Sequence, residues 1–385
     1  MICSAPIKFE RVFLDADIEN HPLVRDILER IGGLPVTRIF DRRNFRKEIA
    51  AFSISQGKRN LWLTRFEGAF LKRCPGTQEP YVCCNYWVIN LQVNCPLDCS
   101  YCILQDYLNL PLVRIFVNLD KIPEEIEVLQ KTYPNRLLRI GTGELSDSLV
   151  LDPLTRANEQ LIQFVSDKPM FLEFKTKTSN TSHLPRLRRR NVVISCSVNP
   201  EDIVRSEEFK TASLGERLQA LGEAVKKGYR AGLHFDPIIE CVDWGKKYEE
   251  TIQRITDSIG EEDVAWISLG ALRFPPQLKR IIDERFPRSR AGLGEFVPCP
   301  DGKMRYFRPI RTEFYQRIYA AIRERWRHVF IYFCMEHPSV WKQVMGYCPD
   351  NNNHLDFLFH ENAAQRFPDL GLLKPDQKNY GIGDF

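Results

Sequence analysis

The sequence predicts a mixed α/β fold, a partial (β/α)6 barrel of the TIM type with an α/β extension before it and a helical region after it. Between residues 85 and 275, strand-like segments alternate with helix-like segments. Strands separated by helices form βαβ units, and such units build a parallel sheet. Residues from about 8 to 70 mix short apolar runs with helical patterns, and the part after about 276 has a Pro-rich joint, one long helix and a Pro-rich tail. We therefore expect three regions: residues 1–84, the barrel at 85–275, and residues 276–385.

The predicted strands of the barrel follow from short apolar runs rich in β-branched and aromatic residues. They cover 85–93, 137–140, 170–174, 192–198, 231–239 and 265–272. The helices between and after them follow from apolar residues at helical spacing. These helices cover 152–165, 214–227 (with Gly228 as the stop), 248–259 and 312–328. Six βα repeats are too few for a closed eight-unit barrel but suit an open one.

The composition is that of an ordinary globular protein. The chain has 385 residues, of which 43% are hydrophobic and 27% charged, with a net charge of +4. This charge is far below that of a dedicated DNA-binding module. No apolar run is long enough for a membrane span, and the first residues show no secretory pattern. We therefore expect a cytoplasmic protein that has no membrane partner.

The cysteines are numerous for a chain in a reducing compartment. There are 12 of them, and clustered cysteines in such a compartment are more often ligands than disulfides. Isolated ones, such as Cys3, Cys196 and Cys241, are interpreted as plain thiols.

Three cysteines, Cys95, Cys99 and Cys102, follow the first predicted barrel strand with the spacing C-x3-C-x2-C. Iron–sulfur clusters are held by cysteine thiolates, usually four. Three thiolates leave one iron of a [4Fe–4S] cluster open, and S-adenosylmethionine can chelate that iron through its amino and carboxylate groups. One electron from the cluster then yields a 5′-deoxyadenosyl radical. The alternatives are a zinc site or unrelated thiols, but zinc sites usually pair two C-x-x-C or Cys/His units and no second unit follows.

The spacing, with Tyr101 before the last cysteine, is the signature of the radical S-adenosylmethionine superfamily. A longer set of segments resembles the spore photoproduct lyase family of radical DNA repair enzymes. In chain order these are Cys74-Pro-Gly, CCNYWVINLQVNCPLDCSYCILQ, GELSDS, FKTKTSN, SCSVNPED, ASLGERLQAL to AGLHFDPII, and CMEHPSVWKQVMGY. The resemblance runs from about residue 70 to 345, which is most of the chain.

The resemblance implies further roles. It places Gly141, Gly143 and Glu144 near the methionine amino group, and Ser146 and Lys177 at the S-adenosylmethionine carboxylate. A lysine and a hydroxyl suit that anion. Ser195, Ser197 and Asn199, on the predicted strand at 192–198 and just after it, are placed near the ribose. The alternative for the last five of these residues, from Ser146 to Asn199, is a solvated position near a strand end. The implied partners are DNA and an electron donor such as flavodoxin or ferredoxin.

The sequence departs from the family at two positions. The family's lyases return a hydrogen atom to the product from a cysteine, and Glu144 stands at that place here. A carboxylate cannot replace a weak S–H bond as a donor. The family's lyases also use two relay tyrosines. Tyr101 stands at the position of the first, but Ile103 stands at the position of the second. Radical formation is therefore expected to be intact, whereas the substrate need not be the spore photoproduct; Cys196 and Cys241 are candidate replacement thiols.

Other candidate functions are open. The radical could act on a nucleotide, a small molecule or a peptide, and a non-catalytic iron–sulfur or zinc protein that binds nucleic acid is an alternative of another class. The basic run 183–190 and the Arg-rich aromatic helix at 312–328 suit nucleic-acid contacts, or else a solvated loop and core packing. His234 and Asp236 are candidates to face the barrel interior and its substrate; the alternative for His234 is a core histidine with its hydrogen bonds satisfied. Cys334, His337 and Cys348 fit no standard metal-binding spacing.

Overall fold

The structure is a computed structural model that describes residues 7–76 and 79–382; Cys3 lies outside this part. The strands are β1 (Arg11–Asp15), β2 (Val36–Ile39), β3 (Asn60–Thr64), β4 (Leu71–Arg73), β5 (Trp87–Ile89), β6 (Gln92–Val93), β7 (Asp98–Cys99), β8 (Val113–Phe116), β9 (Leu138–Gly141), β10 (Met170–Thr176), β11 (Val192–Ser197), β12 (Glu208–Phe209), β13 (Arg230–Ile238), β14 (Val264–Ala271), β15 (Arg273–Phe274), β16 (Phe296–Pro298), β17 (Met304–Tyr306) and β18 (Ile331–Phe333).

The α-helices alternate with the strands along the middle of the chain and dominate its end. They are α1 (Pro22–Ile31), α2 (Arg42–Ile49), α3 (Ile54–Gly57), α4 (Leu104–Tyr107), α5 (Ile122–Thr132), α6 (Asp152–Thr155), α7 (Ala157–Val165), α8 (Glu201–Glu207), α9 (Leu214–Lys226), α10 (Trp244–Ser258), α11 (Pro276–Arg285), α12 (Arg308–Arg325), α13 (Pro338–Met345) and α14 (Asn352–Arg366). The predicted helix at 152–165 is two helices, because Arg156 between them has a left-handed backbone, with φ of 53°.

The principal sheet has eight strands in the order β18-β14-β13-β11-β10-β9-β5-β4. All neighbours pair in parallel except β4, which is antiparallel to β5. This confirms the partial barrel. Five of the six predicted barrel strands are present with altered ends, whereas the strand predicted at 85–93 is two strands, β5 in this sheet and β6 in another. Two strands were not predicted, β4 and β18, because runs of three residues carry too little periodicity to be recognised.

The second sheet lies before the barrel in sequence and has the order β2-β1-β3-β8-β6. The strands β1, β2, β3 and β8 are parallel, and β6 is antiparallel to β8. This is the predicted α/β extension, but it also takes in β6 and β8 from either side of the cysteine loop. The extension is thereby joined to the loop that carries the candidate site.

The C-terminal region is mainly helical, as predicted, and it also closes the open side of the barrel. Val82 forms an antiparallel bridge with Glu336 just after β18. The Glu336 carboxylate is held by the Arg311 guanidinium at 3.1 Å and by the Tyr315 hydroxyl at 3.1 Å. The barrel sheet therefore includes β4, which lies before residue 85, and β18, which lies after residue 276. The boundaries of the three predicted regions stay predictions.

In residues 7–76 and 79–382 we find no helix with the length and apolar character needed to traverse a bilayer.

Candidate active site

The cysteine loop runs from β6 to α4 at the carboxyl edge of the parallel sheet, where barrel enzymes place their chemistry. Its start is fixed by Asn94, whose side-chain oxygen accepts a hydrogen bond from the Cys95 N–H at 2.8 Å. Cys99 lies in β7, which pairs with β12. The Lys58 ammonium lies 3.1 Å from the Asp98 carboxylate within the loop. The loop is therefore held by β12, with which it forms a separate two-stranded sheet, and by Lys58, which lies just after α3.

A cavity of about 240 Å³ opens behind the loop. The thiols of Cys95, Cys99 and Cys102 lie on one wall, and the other walls come from the ends of the neighbouring strands. The remaining lining residues are Leu97, Tyr101, Ile103, Leu104, Gly143, Glu144, Ser146, Asp147, Lys175, Thr176, Lys177, Ser197, His234, Asp236 and Pro237.

The three thiols are close enough to influence one another. Burial raises the pKa of Cys95 to about 12, and the neighbouring Asp147 and Cys102 add to this effect. Burial also raises the pKa of Cys99 well above its usual value, opposed by the Lys177 charge. Within the described residues no three His, Cys, Asp or Glu side chains already converge as metal ligands. The thiols are free, so each is available for ligation.

Glu208, which the sequence analysis missed, organises one side of the cavity. Its carboxylate accepts hydrogen bonds from the Tyr101 hydroxyl, from Asn199 Nδ2 at 3.0 Å and from Arg217 Nη2 at 2.6 Å. Lys177 Nζ lies 3.3 Å from the same carboxylate. Burial alone would raise the pKa of Glu208, but Lys177 and Arg217 outweigh it and hold that pKa far below its usual value. Glu208 is therefore a buried carboxylate that positions Tyr101 and Lys177.

Asp147 organises the opposite side and was also missed. Its carboxylate accepts hydrogen bonds from the Lys177 N–H at 2.6 Å and the Thr176 hydroxyl at 2.9 Å. Next to it, Ser146 Oγ accepts a hydrogen bond from Gln92 Nε2 at 3.1 Å. A Cβ at Gly143 would lie 2.8 Å from Lys175 Cβ, so glycine permits the loop to approach β10. No local sequence pattern distinguishes Glu208 or Asp147 from surface carboxylates.

The structure brings nine of the predicted site residues together on the cavity: Cys95, Cys99, Tyr101, Cys102, Gly143, Glu144, Ser146, Lys177 and Ser197. Three do not line it. Gly141 packs against Tyr86, whose hydroxyl would lie 1.4 Å from an added Cβ. Ser195 donates to Glu173 at 2.5 Å, and Asn199 is bound to Glu208 and Tyr248.

The two candidate replacement thiols do not line the cavity. Cys196 is buried, with its thiol directed at the Arg217 carbonyl 3.8 Å away. Cys241 is half-buried and interacts with Asp202 and Lys247. The expectation that one of them takes the place of the family's cysteine therefore finds no support in their position.

Another group of thiols meets where the barrel closes. Cys83 hydrogen bonds to Cys84, and Cys334, just after β18, interacts with Cys84. The Cys83 thiol, aided by Arg139 and Lys175, holds the pKa of Cys84 below its usual value against the opposing effect of burial. Cys348 interacts instead with Lys342 and Asp350. His337 caps α13.

The predicted nucleic-acid features are only partly internal, since Arg186 and Arg188 of the basic run are exposed. In the basic run, His183 contacts Asp152 at 2.5 Å and Arg190 contacts Asp263 at 2.5 Å. On α12, Phe314 and Tyr315 are buried in the core. His234 faces the barrel interior as expected, with Nε2 2.9 Å from Glu173 Oε1, and Asp236 pairs with Arg273 at 3.1 Å.

A curled parallel sheet with a three-cysteine loop and a polar cavity at its carboxyl edge defines the class of radical S-adenosylmethionine proteins. The model of one family, spore photoproduct lyase, matches residues 79–320. The chain belongs to the spore photoproduct lyase family, and the resemblance seen in the sequence is confirmed.

Curated relatives and solved structures agree with this assignment. Spore photoproduct lyase of Geobacillus sp. is 28% identical over 214 residues, which cover 54% of this chain and 63% of the relative. This alignment thus spans less than two thirds of the relative. The enzyme of Clostridium acetobutylicum is 24% identical over 295 residues, 74% of this chain and 85% of the relative. A solved spore photoproduct lyase variant with bound AdoMet and dinucleoside spore photoproduct matches with a TM-score of 0.75 at 22% identity, covering 85% of this chain and 99% of that one.

Proposed function

We propose that this chain is a radical S-adenosylmethionine enzyme that acts on a pyrimidine photoproduct in DNA. The observation that carries the proposal is that Cys95, Cys99 and Cys102 share one small cavity with Ser146 and Lys177 in a chain of this family. The alternatives of a small-molecule radical enzyme and a non-catalytic metal protein have no comparable observation in their favour.

The residues present fit a [4Fe–4S] cluster. The three thiols are free and lie on one wall; Cys95 and Cys99 are buried, and Cys102 is half-buried. Three thiolates in one loop leave one iron for S-adenosylmethionine, and soft thiolate ligands suit iron–sulfur clusters. When bound, the cluster and S-adenosylmethionine supply one-electron cleavage to a 5′-deoxyadenosyl radical.

The protein groups bind and orient the cofactor. Lys177, set between Glu208 and Asp147, offers an ammonium to the S-adenosylmethionine carboxylate, and the Ser146 hydroxyl faces the same cavity. A lysine held by buried carboxylates on both sides is positioned before the ligand arrives, which lowers the entropy lost on binding. Gly143 leaves room at the wall, and Tyr101, tied to Glu208, has a fixed ring position.

The substrate assignment rests on the family and not on the chemistry of residue 144. Glu144 lines the cavity, 3.9 Å from Lys175 Nζ, and Ile103 lies on the same wall. Neither can return a hydrogen atom as a thiol does. We propose DNA as the macromolecular partner, and a flavodoxin or ferredoxin as the electron donor.

The test is 5′-deoxyadenosine formation by the anaerobically reconstituted, reduced full chain, with and without a spore-photoproduct dinucleotide. We expect 5′-deoxyadenosine in both samples and loss of the crosslink in the second. If 5′-deoxyadenosine forms but the crosslink persists, the substrate assignment is wrong.

The matched variants are Cys99→Ala and Cys196→Ala, which each remove one buried thiol. Cys99→Ala should lose the iron–sulfur absorption and 5′-deoxyadenosine formation, whereas Cys196→Ala should keep both. An unchanged absorption spectrum in Cys99→Ala, with no 5′-deoxyadenosine from the wild type, would contradict the whole proposal.

A further inference from the structure

A second and larger cavity, of about 930 Å³, adjoins the first. It lies between the N-terminal sheet and the edge of the barrel, in the size range of ligand sites. Its lining comes from α2, β3, β4, the β5–β6 segment, the chain after α4, and β8. Glu144 lines both cavities. The two spaces therefore meet at the residue that stands where the family has its cysteine.

The wall of this N-terminal cavity is strongly basic. Five cationic side chains line it, against the two carboxylates of Glu67 and Glu144. Both carboxylates are already engaged, Glu67 with Arg42 at 3.2 Å and Glu144 with Lys175 at 3.9 Å. The cations are Arg46, Arg65, Lys72, Arg73 and Arg114.

Arg114, on β8, is the cation that most needs a partner. Its Nε is buried and has no hydrogen-bond partner, and no carboxylate of the described chain pairs with it. Burial and the charge of Arg46 lower the pKa of Arg114 to about 10, a value at which the guanidinium is still charged at neutral pH. A partly buried cation without a partner is destabilising unless an anion fills the site.

Asn90 supplies an independent sign of a ligand. It is only 8% exposed, it lines the same cavity, and its side-chain oxygen has no hydrogen-bond donor. Buried amides without partners are uncommon in proteins, and this one opens onto the cavity, where a ligand or water can supply the donor. Tyr107, at 56% exposure, and Phe66 present aromatic surface in the same wall. Cations with exposed rings are the combination that binds single-stranded nucleic acid.

We propose that the N-terminal cavity binds the phosphate backbone of the nucleic-acid strand whose damaged base enters the cofactor cavity, with Arg114 and Arg46 as phosphate contacts. This inference rests on the proposed function. The strand would pass Glu144, and its neighbouring phosphates would meet the basic wall. Bases flanking the lesion would lie against Tyr107 and offer their edges to Asn90. Nine of the 20 lining residues lie before residue 79, outside the part matched by the family model.

The test is equilibrium binding of a short fluorescent single-stranded oligothymidylate to the full chain, followed by anisotropy at several salt concentrations. Arg114→Gln should weaken binding about tenfold and lower the slope of log K against log salt by about 1. Arg114→Lys should recover part of the loss, because it restores a charge. Arg280→Gln is the matched control: Arg280 is 81% exposed on α11 and lines neither cavity, so affinity should be unchanged.

Folding of the variant is checked separately. Because Arg114 has no internal partner, Arg114→Gln should have a Tm no lower than the wild type. Equal oligonucleotide affinity of Arg114→Gln and wild type overturns the inference. Binding of dTMP that depends on Arg114, without binding of the oligonucleotide, also overturns it, since the cavity would then hold a free nucleotide. Arg114-dependent oligonucleotide binding without any 5′-deoxyadenosine formation would support the basic cavity and contradict the proposed function.

Discussion

At the scale of single residues, the candidate site depends on a few buried charges that hold functional groups still. Lys177 is fixed by its backbone N–H to Asp147 and by its ammonium near Glu208. The sequence identified Lys177 and Ser146 through a family resemblance. It could not identify Asp147 and Glu208 as their supports, because a buried carboxylate and a solvated one look alike in sequence.

Replacing Lys177 with methionine should weaken S-adenosylmethionine binding about tenfold or more, because a charge-assisted hydrogen bond contributes about 1.5–3 kcal/mol. The measurement is calorimetric titration of the reconstituted protein with S-adenosylmethionine. Lys246→Met, at a 76% exposed position on α10, should bind as the wild type does. An unchanged dissociation constant in Lys177→Met would remove Lys177 from the cofactor site.

At the scale of elements, local sequence patterns predict where a helix begins better than they predict where a short strand lies. The helix α9 begins at a capping box, where Ser213 Oγ accepts from the Glu216 N–H at 3.3 Å and the Glu216 carboxylate accepts from the Ser213 N–H at 2.8 Å. This pattern is visible in sequence. The short strands β4 and β18 were missed because their pairing with distant strands, and not their own residues, makes them strands.

Ser213→Ala should lower the free energy of unfolding by about 1 kcal/mol, because the first turn of α9 loses its cap. Urea unfolding followed by circular dichroism measures this change. Ser258→Ala is the control: Ser258 ends α10 and its hydroxyl only donates to the Arg254 carbonyl at 2.7 Å. That variant should stay within about 0.5 kcal/mol of the wild type. Equal losses in the two variants would contradict a specific capping contribution.

At the scale of the whole molecule, the barrel encloses a polar network. Glu173 Oε1 accepts from Ser195, from the Trp266 indole at 3.1 Å, and lies 2.9 Å from His234. Burial alone would raise the pKa of Glu173, but His234, Lys175 and Ser195 outweigh it and hold that pKa well below its usual value. A depressed pKa in the folded state stabilises the fold above the unfolded-state pKa, near 4.3.

Glu173→Gln should therefore cost about 3 kcal/mol of unfolding free energy at pH 7, because it takes the carboxylate from the buried His234 and removes a negative charge near Lys175. The difference from the wild type should shrink as the pH falls below about 4, where the wild type begins to lose the same contribution. Urea unfolding at pH 7 and at about pH 3.5 tests both statements. Glu250→Gln, 61% exposed on α10, should differ little at either pH. If the difference in unfolding free energy between Glu173→Gln and the wild type grew as the pH fell, the lowered pKa of Glu173 would be contradicted.

The sequence by itself determined the partial barrel and the cysteine loop at the carboxyl edge, because periodicity and spacing are local properties of the chain. The family followed from the resemblance of several segments, in their order along the chain, to spore photoproduct lyases. Only the tertiary structure decided which residues share the cavity: it gathered Ser146, Lys177 and Ser197 there and turned Gly141, Ser195 and Asn199 into supporting or packing positions. It also closed the barrel through β18 and formed the basic cavity around Arg114. These features depend on contacts between residues far apart in the chain, and such contacts leave no periodic trace in the sequence.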